Sequence, residues 1–311
     1  MDRRIYPVVI VGMGPAGYTA SIYLSRYKIE HLVVGQVSGG QLGEAHKICN
    51  YPGFKDITGL DLADKIRDHA LSLGAKEKFC SIAKIERLKD NSFRLVDYDN
   101  NEIFANAVII AIGKKHRKLG VPREDYYYGK GLGYCATCDG PLFRNKVVTV
   151  VGGANAAITA ALMFADLASQ VYLVYRGDAL KGEQAWIDLA NKNSKIIQIS
   201  GTNILSINGD AKVESVVLDK PFNGSQELKT DGIFVEVGSE PAIVGYKNID
   251  LKVDDRGYII VDNYQATSQD GIFAAGDITT NSGGFKQVVT ACAEGAIASE
   301  SVRKYLINLR K

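Results

Sequence analysis

An α/β fold with two Rossmann-like dinucleotide-binding domains, the first discontinuous in sequence, is what three features of this chain predict. Val8-Val9-Ile10-Val11 is a continuous apolar run that ends in the glycine-rich turn Gly12-Met13-Gly14-Pro15-Ala16-Gly17. Val147-Val148-Thr149-Val150-Val151 is a second such run, ending in Gly152-Gly153-Ala154. Uninterrupted apolar runs are the mark of strands buried on both faces of a parallel sheet. Aligned with each other, V-V-I-V-G-M-G-P-A-G-Y-T-A and V-T-V-V-G-G-A-N-A-A-I-T-A read as one unit duplicated about 140 residues apart, with one nucleotide per copy.

The elements follow in order. After the first turn, Tyr18 to Arg26 reads as a helix and His31-Leu32-Val33-Val34 as the next strand. Gly39-Gly40-Gln41-Leu42 and Asn50-Tyr51-Pro52-Gly53 read as loops. Asp61 to Leu73 is an amphipathic helix, with Leu62, Ile66, Ala70 and Leu73 on its apolar face. Ser92 to Val96 alternates like a half-exposed strand, and Ala107 to Gly113 is a buried one. In the second copy, Ala157 to Ala168 reads as a helix and Val171 to Tyr175 as a strand, with Asp231 to Gly238 closing the copy. A late short strand, Gly271 to Ala275, runs into Gly276-Asp277. From Phe285 to Leu309 the pattern is helical, with Val288, Val289, Ala293 and Ile297 as expected core contacts. This last piece has no fingerprint of its own and is expected to complete the first domain. The expected division is therefore residues 1–117 and 246–311 for the first domain and 118–245 for the second.

Composition bounds the function. A chain of 311 residues with 46% apolar and 23% charged residues has material for two cores. A net charge of +2 gives no reason to expect a nucleic-acid or membrane partner. No stretch approaches the roughly 20 apolar residues of a membrane span, and the N-terminal apolar run is broken by Gly and Pro, unlike a signal peptide. Five cysteines, an odd number without a dense framework, fit a reducing, cytoplasmic compartment in which one pair has a chemical task. The basic run Lys114-Lys115-His116-Arg117-Lys118 reads as a solvated connection, or else as a docking patch for an acidic partner protein.

Three sites carry chemistry. Gly12, Gly14 and Gly17 suit a pyrophosphate: the first permits the turn, the second the approach of the phosphates, the third close packing of helix on strand. Pro15 and Ala16 open the helix whose N-terminus faces the negative charge. No carboxylate follows the second strand to take a ribose hydroxyl, so Gln36 is the candidate substitute. Asp277 reads either as a helix-type cap or as an acceptor for a cofactor hydroxyl. A flavin needs more anchors than a nicotinamide that comes and goes. Gly40, Gln41, Leu42, Asn50, Gly113, Gly276 and Asp277 therefore favour FAD in the first domain. In the second copy Gly152, Gly153, Asn155, Ala156, Arg176 and Lys181 are the candidate nucleotide contacts. Between the copies stands Cys135-Ala136-Thr137-Cys138-Asp139-Gly140. A zinc half-site would need two further ligands with spacing of their own, and Cys49, Cys80, Cys292 and the four histidines are scattered. A redox dithiol is the better reading, with Asp139 placed to exchange a proton with a thiolate. Cys49, Cys80 and Cys292 are expected to pack as small apolar groups. Tyr126-Tyr127-Tyr128 is expected to be surface packing.

On these residues the chain resembles the low-molecular-weight thioredoxin reductases. The resemblance covers nearly the whole chain: the first glycine turn, Gly39 to Leu42, Asn50 to Gly53, Cys135 to Gly140, and Thr267 to Asp277. It implies a homodimeric flavoprotein whose FAD domain is split around a nucleotide domain, with two states related by rotation of that domain. It implies that Cys138 lies nearest the flavin, that Cys135 is the interchange thiol that attacks the partner's disulfide, and that Asp139 is the acid–base group. It places Lys286-Gln287 beside the flavin. The implied substrate is thioredoxin or another small redoxin; a different redox partner, such as a peroxide-reducing system, is the alternative. Ferredoxin–NADP reductase relatives share the fold but lack the dithiol, and a non-enzymatic redox sensor is the remaining class.

The second nucleotide site departs from the family. Ala154 stands where the turn usually has Gly, Thr159-Ala160 lacks the usual Glu, and the His-Arg-Arg and later Arg that clamp a 2′-phosphate appear as Tyr175-Arg176-Gly177 and Lys181. Lysine offers phosphate a point charge where arginine offers a fork. The expectation is altered nicotinamide use: NADH, low-affinity NADPH, or another donor such as a reduced deazaflavin or ferredoxin, or a site that has lost its function.

Overall fold

The computed structural model describes residues 4–45, 47–242 and 249–309. Apolar runs dictate the first elements. β1 (Ile5–Val11), α1 (Pro15–Arg26), β2 (His31–Gly35), α2 (Gly59–Ser72), β3 (Lys76–Phe79), β4 (Ile82–Arg87), β5 (Phe93–Asp97), β6 (Glu102–Ile110) and β7 (Lys114–His116) follow one another. Next come α3 (Glu124–Tyr127), β8 (Leu132–Gly133), α4 (Ala136–Asp139), β9 (Val147–Val151), α5 (Asn155–Leu167), β10 (Gln170–Val174), α6 (Gln184–Lys192) and β11 (Ile196–Ile199). Then β12 (Ile204–Asn208), β13 (Ser215–Phe222), β14 (Ser225–Lys229), β15 (Gly232–Val235), β16 (Ser239–Pro241), β17 (Ile272–Ala274) and α7 (Val288–Leu309) complete the described chain.

The chain forms two compact units. One holds Met1–Gly43, Ile48–Lys115 and Pro241–Lys311; the other holds Glu44–Lys47 and His116–Glu240. The expected return point, Tyr246, lies outside the described residues. The crossings fall in β7 and β16, which pair as a separate two-stranded sheet.

In the first unit, β3, β2, β1 and β6 are parallel and in that order, with β17 also parallel on β6 and the antiparallel β5 and β4 beyond. Val9 is in register with Leu32 and with Val108, so the runs read as strands are buried neighbours. In the second unit the order is β11, β10, β9, β15, β8, all parallel, and β12–β14 form a separate antiparallel sheet. The α/β class with two parallel-sheet units, the first interrupted in sequence, is borne out.

Several details differ from expectation. On α2 Leu62 and Ala70 are buried, but Leu73 is an exposed C-cap residue, one step past the helix. On α7 the expected contacts are on the wrong face: Val289, Ala293 and Ile297 are exposed and Val288 is only half-buried. The buried face is Ala291, Glu294, Gly295, Ala298, Val302 and Leu306. Close approach to α1 selects small residues over large apolar ones: a methyl group at Gly295 would lie 2.2 Å from the Ala16 carbonyl oxygen. Cys49 is exposed, because in the bridge between Ile48 and Ile57 it is Ile48 that turns inward, whereas Cys80 packs against the core of the first unit as expected and Cys292 is half-buried. Tyr127 is fully buried with its hydroxyl on the Gly209 carbonyl, whereas Tyr126 and Tyr128 are exposed.

Candidate active site

The first glycine turn is built as its composition requires. Gly12 has φ +128°, and a side chain there would meet the Ala111 carbonyl oxygen at 2.1 Å. A side chain at Gly17 would meet the Gly12 carbonyl oxygen at 1.9 Å. Both glycines are needed for packing. Gly14 differs: a methyl there would meet nothing nearer than 4.0 Å, so it borders open space. It is the N-cap of α1, whose first turn has Pro15 and no side-chain cap. Uncapped helix N–H groups facing an open cradle suit an anion such as a pyrophosphate.

The loops around this turn converge on it. The Gly39 amide donates to the Met13 carbonyl, and Gly40 lies close to Gly14. Gln41 and the buried Leu42 follow in a short 3-10 turn, Gly40–Glu44. The Asn50 side-chain amide donates to Gln287 Oε1 at 3.1 Å, which joins two segments far apart in sequence. Beyond β17, Gly276 donates its N–H to the buried Glu294 carboxylate at 2.8 Å, and the Thr279 and Ser282 hydroxyls donate to the same group. Lys286 Nζ donates to the carbonyls of Thr279 and Asn281. Burial holds its pKa below the ordinary lysine value, against the opposing pull of Glu294 and Asp277.

Asp277 is not a helix cap. Its Oδ2 lies 2.9 Å from Lys114 Nζ, and both side chains are largely buried. The basic run is accordingly not a plain solvated connection: Lys114 pairs with Asp277, His116 with Glu44, and Lys118 with Asp125. Gln36 is exposed and lines a cavity of about 360 Å³ with Phe79, Cys80, Ser81, Asp97, Tyr98 and Asp99. Sequence reasoning missed that wall. Its signal is the pairing of β3 with β2, which carries Phe79 level with Gly35.

The second turn repeats the first with two changes. Gly152 has φ +144°, and a side chain there would meet the Glu236 carbonyl oxygen at 2.2 Å. Ala154 is the N-cap of α5, the place that Gly14 holds on α1, and Ala157 stands where Gly17 does. Asn155 is held by Glu183: its amide donates to Glu183 Oε1 at 3.0 Å and its oxygen accepts the Glu183 N–H at 2.7 Å. Ala156 and Ala154 are exposed, and Gly153 accepts the Lys181 N–H. Arg176 and Lys181 are exposed, with no ion pair among the described residues. Thr159 bonds back to the carbonyls of Asn155 and Ala156.

The dithiol is in the same unit. Cys135 and Cys138 are joined as a disulfide, with Cα atoms 5.3 Å apart. Cys135 is the N-cap of α4, and the Cys138 N–H donates to its sulfur at 3.1 Å. Cys138 is exposed and Cys135 half-buried within the unit. The Asp139 carboxylate lies against Gly133, where a methyl would come within 2.9 Å of Oδ2. The preceding Tyr134 donates to Glu124 at 2.6 Å and stacks on His116. Burial and the Glu124 carboxylate push the Tyr134 phenol well above its ordinary pKa.

One acid stands out. Burial raises the Glu236 carboxyl to about 7, with His116 lowering it and Glu44 raising it. His116 Nε2 lies 2.6 Å from Glu44 Oε2, and that bond holds the imidazole above its ordinary pKa. Neither Glu236 nor Glu44 carries a sequence signal, since the three residues come from distant segments.

The profile described as pyridine nucleotide-disulphide oxidoreductase matches residues 6–295. The chain belongs to that family. A protein named thioredoxin reductase from Listeria monocytogenes is 37% identical over 313 residues, covering 100% of this chain and 97% of that one. The thioredoxin reductase of Lactococcus lactis superposes with a TM-score of 0.91 at 34% identity, covering 97% of this chain and 99% of that one. The thioredoxin reductase of T. acidophilum gives 0.90 at 35% identity, covering 99% and 100%. The resemblance carried by the glycine loops and the dithiol segment is borne out. No helix among the described residues is long and apolar enough to cross a membrane.

Proposed function

We propose that this family member is an FAD-dependent thioredoxin-disulfide reductase that passes electrons through Cys135 and Cys138 to thioredoxin or a similar small redoxin. The observation that carries it is the Cys135–Cys138 disulfide in a chain whose other unit holds a glycine cradle of dinucleotide type. FAD, when bound, supplies a two-electron relay between a hydride donor and a disulfide. Gly12, Gly14, Pro15, Ala16 and Gly17 would hold its pyrophosphate, Gln36 and the adjoining cavity its adenosine end, and Gly40, Gln41, Leu42, Asn50, Gly113, Gly276, Asp277, Lys286 and Gln287 the rest.

The chain's own thiols perform the exchange. In the reduced dithiol, the Cys135 thiolate attacks a sulfur of the redoxin disulfide and displaces one redoxin thiolate, giving a mixed disulfide. Cys138 then attacks the Cys135 sulfur, releasing the second redoxin thiolate and re-forming the Cys135–Cys138 bond. Two electrons pass from the dithiol to the redoxin, whose two thiolates each gain a proton. Asp139, close in sequence to both sulfurs and with a carboxylate that makes no hydrogen bond among the described residues, is the group we assign to proton transfer.

Gly152, Gly153, Asn155, Ala156, Arg176 and Lys181 form the nicotinamide site, and Ala154, Gly177 and Lys181 argue for weakened 2′-phosphate recognition. NADH, or a donor other than a nicotinamide, is the second reading, supported by the methyl of Ala154 at the mouth of the turn. A homodimer and a reducing, cytoplasmic setting belong to the same proposal. The deciding experiment is anaerobic reduction of the flavin-loaded protein by NADPH and by NADH separately, followed by addition of oxidised thioredoxin. Re-oxidation of the protein by thioredoxin is the expected result. A flavoprotein that stays reduced in its presence refutes the assignment.

A further inference from the structure

Lys114 opens the basic run Lys114-Lys115-His116-Arg117-Lys118, yet its side chain is only 15% exposed and its ammonium lies 2.9 Å from Asp277 Oδ2. The geometry around this pair is specific. Ala111 donates its N–H to Val11 O, and Ala275 donates to Ile110 O, so β1, β6 and β17 end together. Their carboxyl ends bring Gly12, Gly113 and Asp277 to one edge, the edge at which open α/β sheets take their ligands. Gly113 has φ +65°, and Lys114 follows directly, at the start of β7. On the other side, Glu294 holds the loop after Gly276 from behind through three hydrogen bonds. Asp277 is thus fixed by its loop and its free oxygen capacity is directed by Lys114. A carboxylate has about four acceptor positions, so one lysine leaves room for a ligand hydroxyl.

We propose that Lys114 is a positioning residue for the flavin: it aims the Asp277 carboxylate at the cofactor and sets a cation at that end of the site, which favours the reduced, more negatively charged cofactor. The proposal rests on the reading of FAD in the first unit. Two-electron reduction of a flavin with uptake of a single proton adds one negative charge to it. A cation in a poorly solvated position stabilises such a charge far more than one in open water. Lys286 is a second cation nearby, but two of its three protons go to backbone carbonyls, whereas Lys114 is directed at Asp277 itself.

The test uses full-length protein with Cys135→Ser and Cys138→Ser, so that only the flavin titrates. Its two-electron midpoint potential is compared in the presence of Lys114→Met, Lys114→Arg and Lys115→Met, together with FAD affinity by fluorescence after stripping. Lys114→Met keeps length and removes charge. The expected result is an approximately tenfold shift toward the oxidised cofactor, about 30 mV more negative, with weaker FAD binding. Lys114→Arg restores most of both, and Lys115→Met, which removes the same formal charge from an exposed neighbour, moves neither. An unchanged potential in a flavin-loaded Lys114→Met protein overturns the proposal alone, as does an equal shift from Lys115→Met. Failure of the protein with native Lys114 to take up FAD at all overturns both this proposal and the cofactor reading.

Discussion

Ala154 takes in the second glycine turn the place that Gly14 takes in the first: each is the uncapped, extended N-cap of the helix that follows a buried strand. At Gly14 a methyl would meet nothing nearer than 4.0 Å, and Ala154, which carries one, is exposed. Because phosphates approach a turn of this kind through that space, the methyl is expected to lower affinity. Ala154→Gly is expected to tighten pyridine-nucleotide binding about tenfold, a change equivalent to ~1.4 kcal/mol. Adding Gly177→Arg is expected to raise the preference for NADPH over NADH further, by supplying a forked phosphate donor. Fluorescence titration with both nucleotides measures this, and equal affinities before and after would refute it.

The two thiols are expected to respond differently to replacement. Cys138→Ser leaves Cys135 able to attack a redoxin disulfide but unable to be resolved, so a mixed disulfide accumulates that dithiothreitol releases. Cys135→Ser gives no such adduct, and either change reduces turnover to background. Non-reducing electrophoresis after mixing with oxidised thioredoxin decides it. Trapping by Cys135→Ser instead would exchange the two roles.

The half-buried Glu236 is expected to make stability depend on pH. Its carboxyl sits at about 7 in the folded chain, against an ordinary 4.5, so the folded state binds the proton more tightly. Its stabilising contribution is complete below about pH 4.5 and is lost as pH rises through about 7. Glu236→Gln, which stays neutral, is expected to flatten the melting temperature across that window and to raise it at pH 8. The His116 imidazolium and Glu44 carboxylate both act on Glu236. His116→Gln removes the cation that lowers its pKa and is expected to steepen the same pH dependence. Thermal melts from pH 4 to 8 provide the measurement.

Gly295→Ala is expected to destabilise the first unit by ~1–3 kcal/mol, as overpacking in a close helix contact does. The added methyl would collide with the Ala16 carbonyl oxygen, and Ala16 stands in the first turn of α1. FAD affinity should therefore fall together with the melting temperature. A variant with native stability and native affinity would show that α7 moves aside at no cost.

The sequence disclosed whatever depends on local chain chemistry. The runs Val8–Val11 and Val147–Val151, the turn glycines and the dithiol all show in consecutive residues, because buried parallel strands need unbroken apolar runs and tight turns need glycine. It concealed what depends on long-range approach. The core face of α7 is carried by Ala291, Gly295 and Ala298, whose small size rather than hydrophobicity is selected. The sheet β12–β14 escaped notice because its strands mix buried Ile207, Val216 and Leu228 with exposed polar residues. The pairs Lys114–Asp277 and His116–Glu44 span 163 and 72 positions, and no periodicity links such partners.

The interrupted first unit has a consequence for how the protein is made. β1 and α1 leave the ribosome some 260 residues before α7, against which α1 packs. At about 5–20 residues per second that interval lasts roughly 13–50 seconds. Throughout it, the nascent first-unit segment keeps an unsheltered apolar stripe, and within the same interval the second unit is synthesised and able to collapse. Slowed translation of the last 70 or so residues should therefore lower the soluble yield more than an equal delay at the start, and a truncation before α7 should be recovered as a chaperone-bound chain.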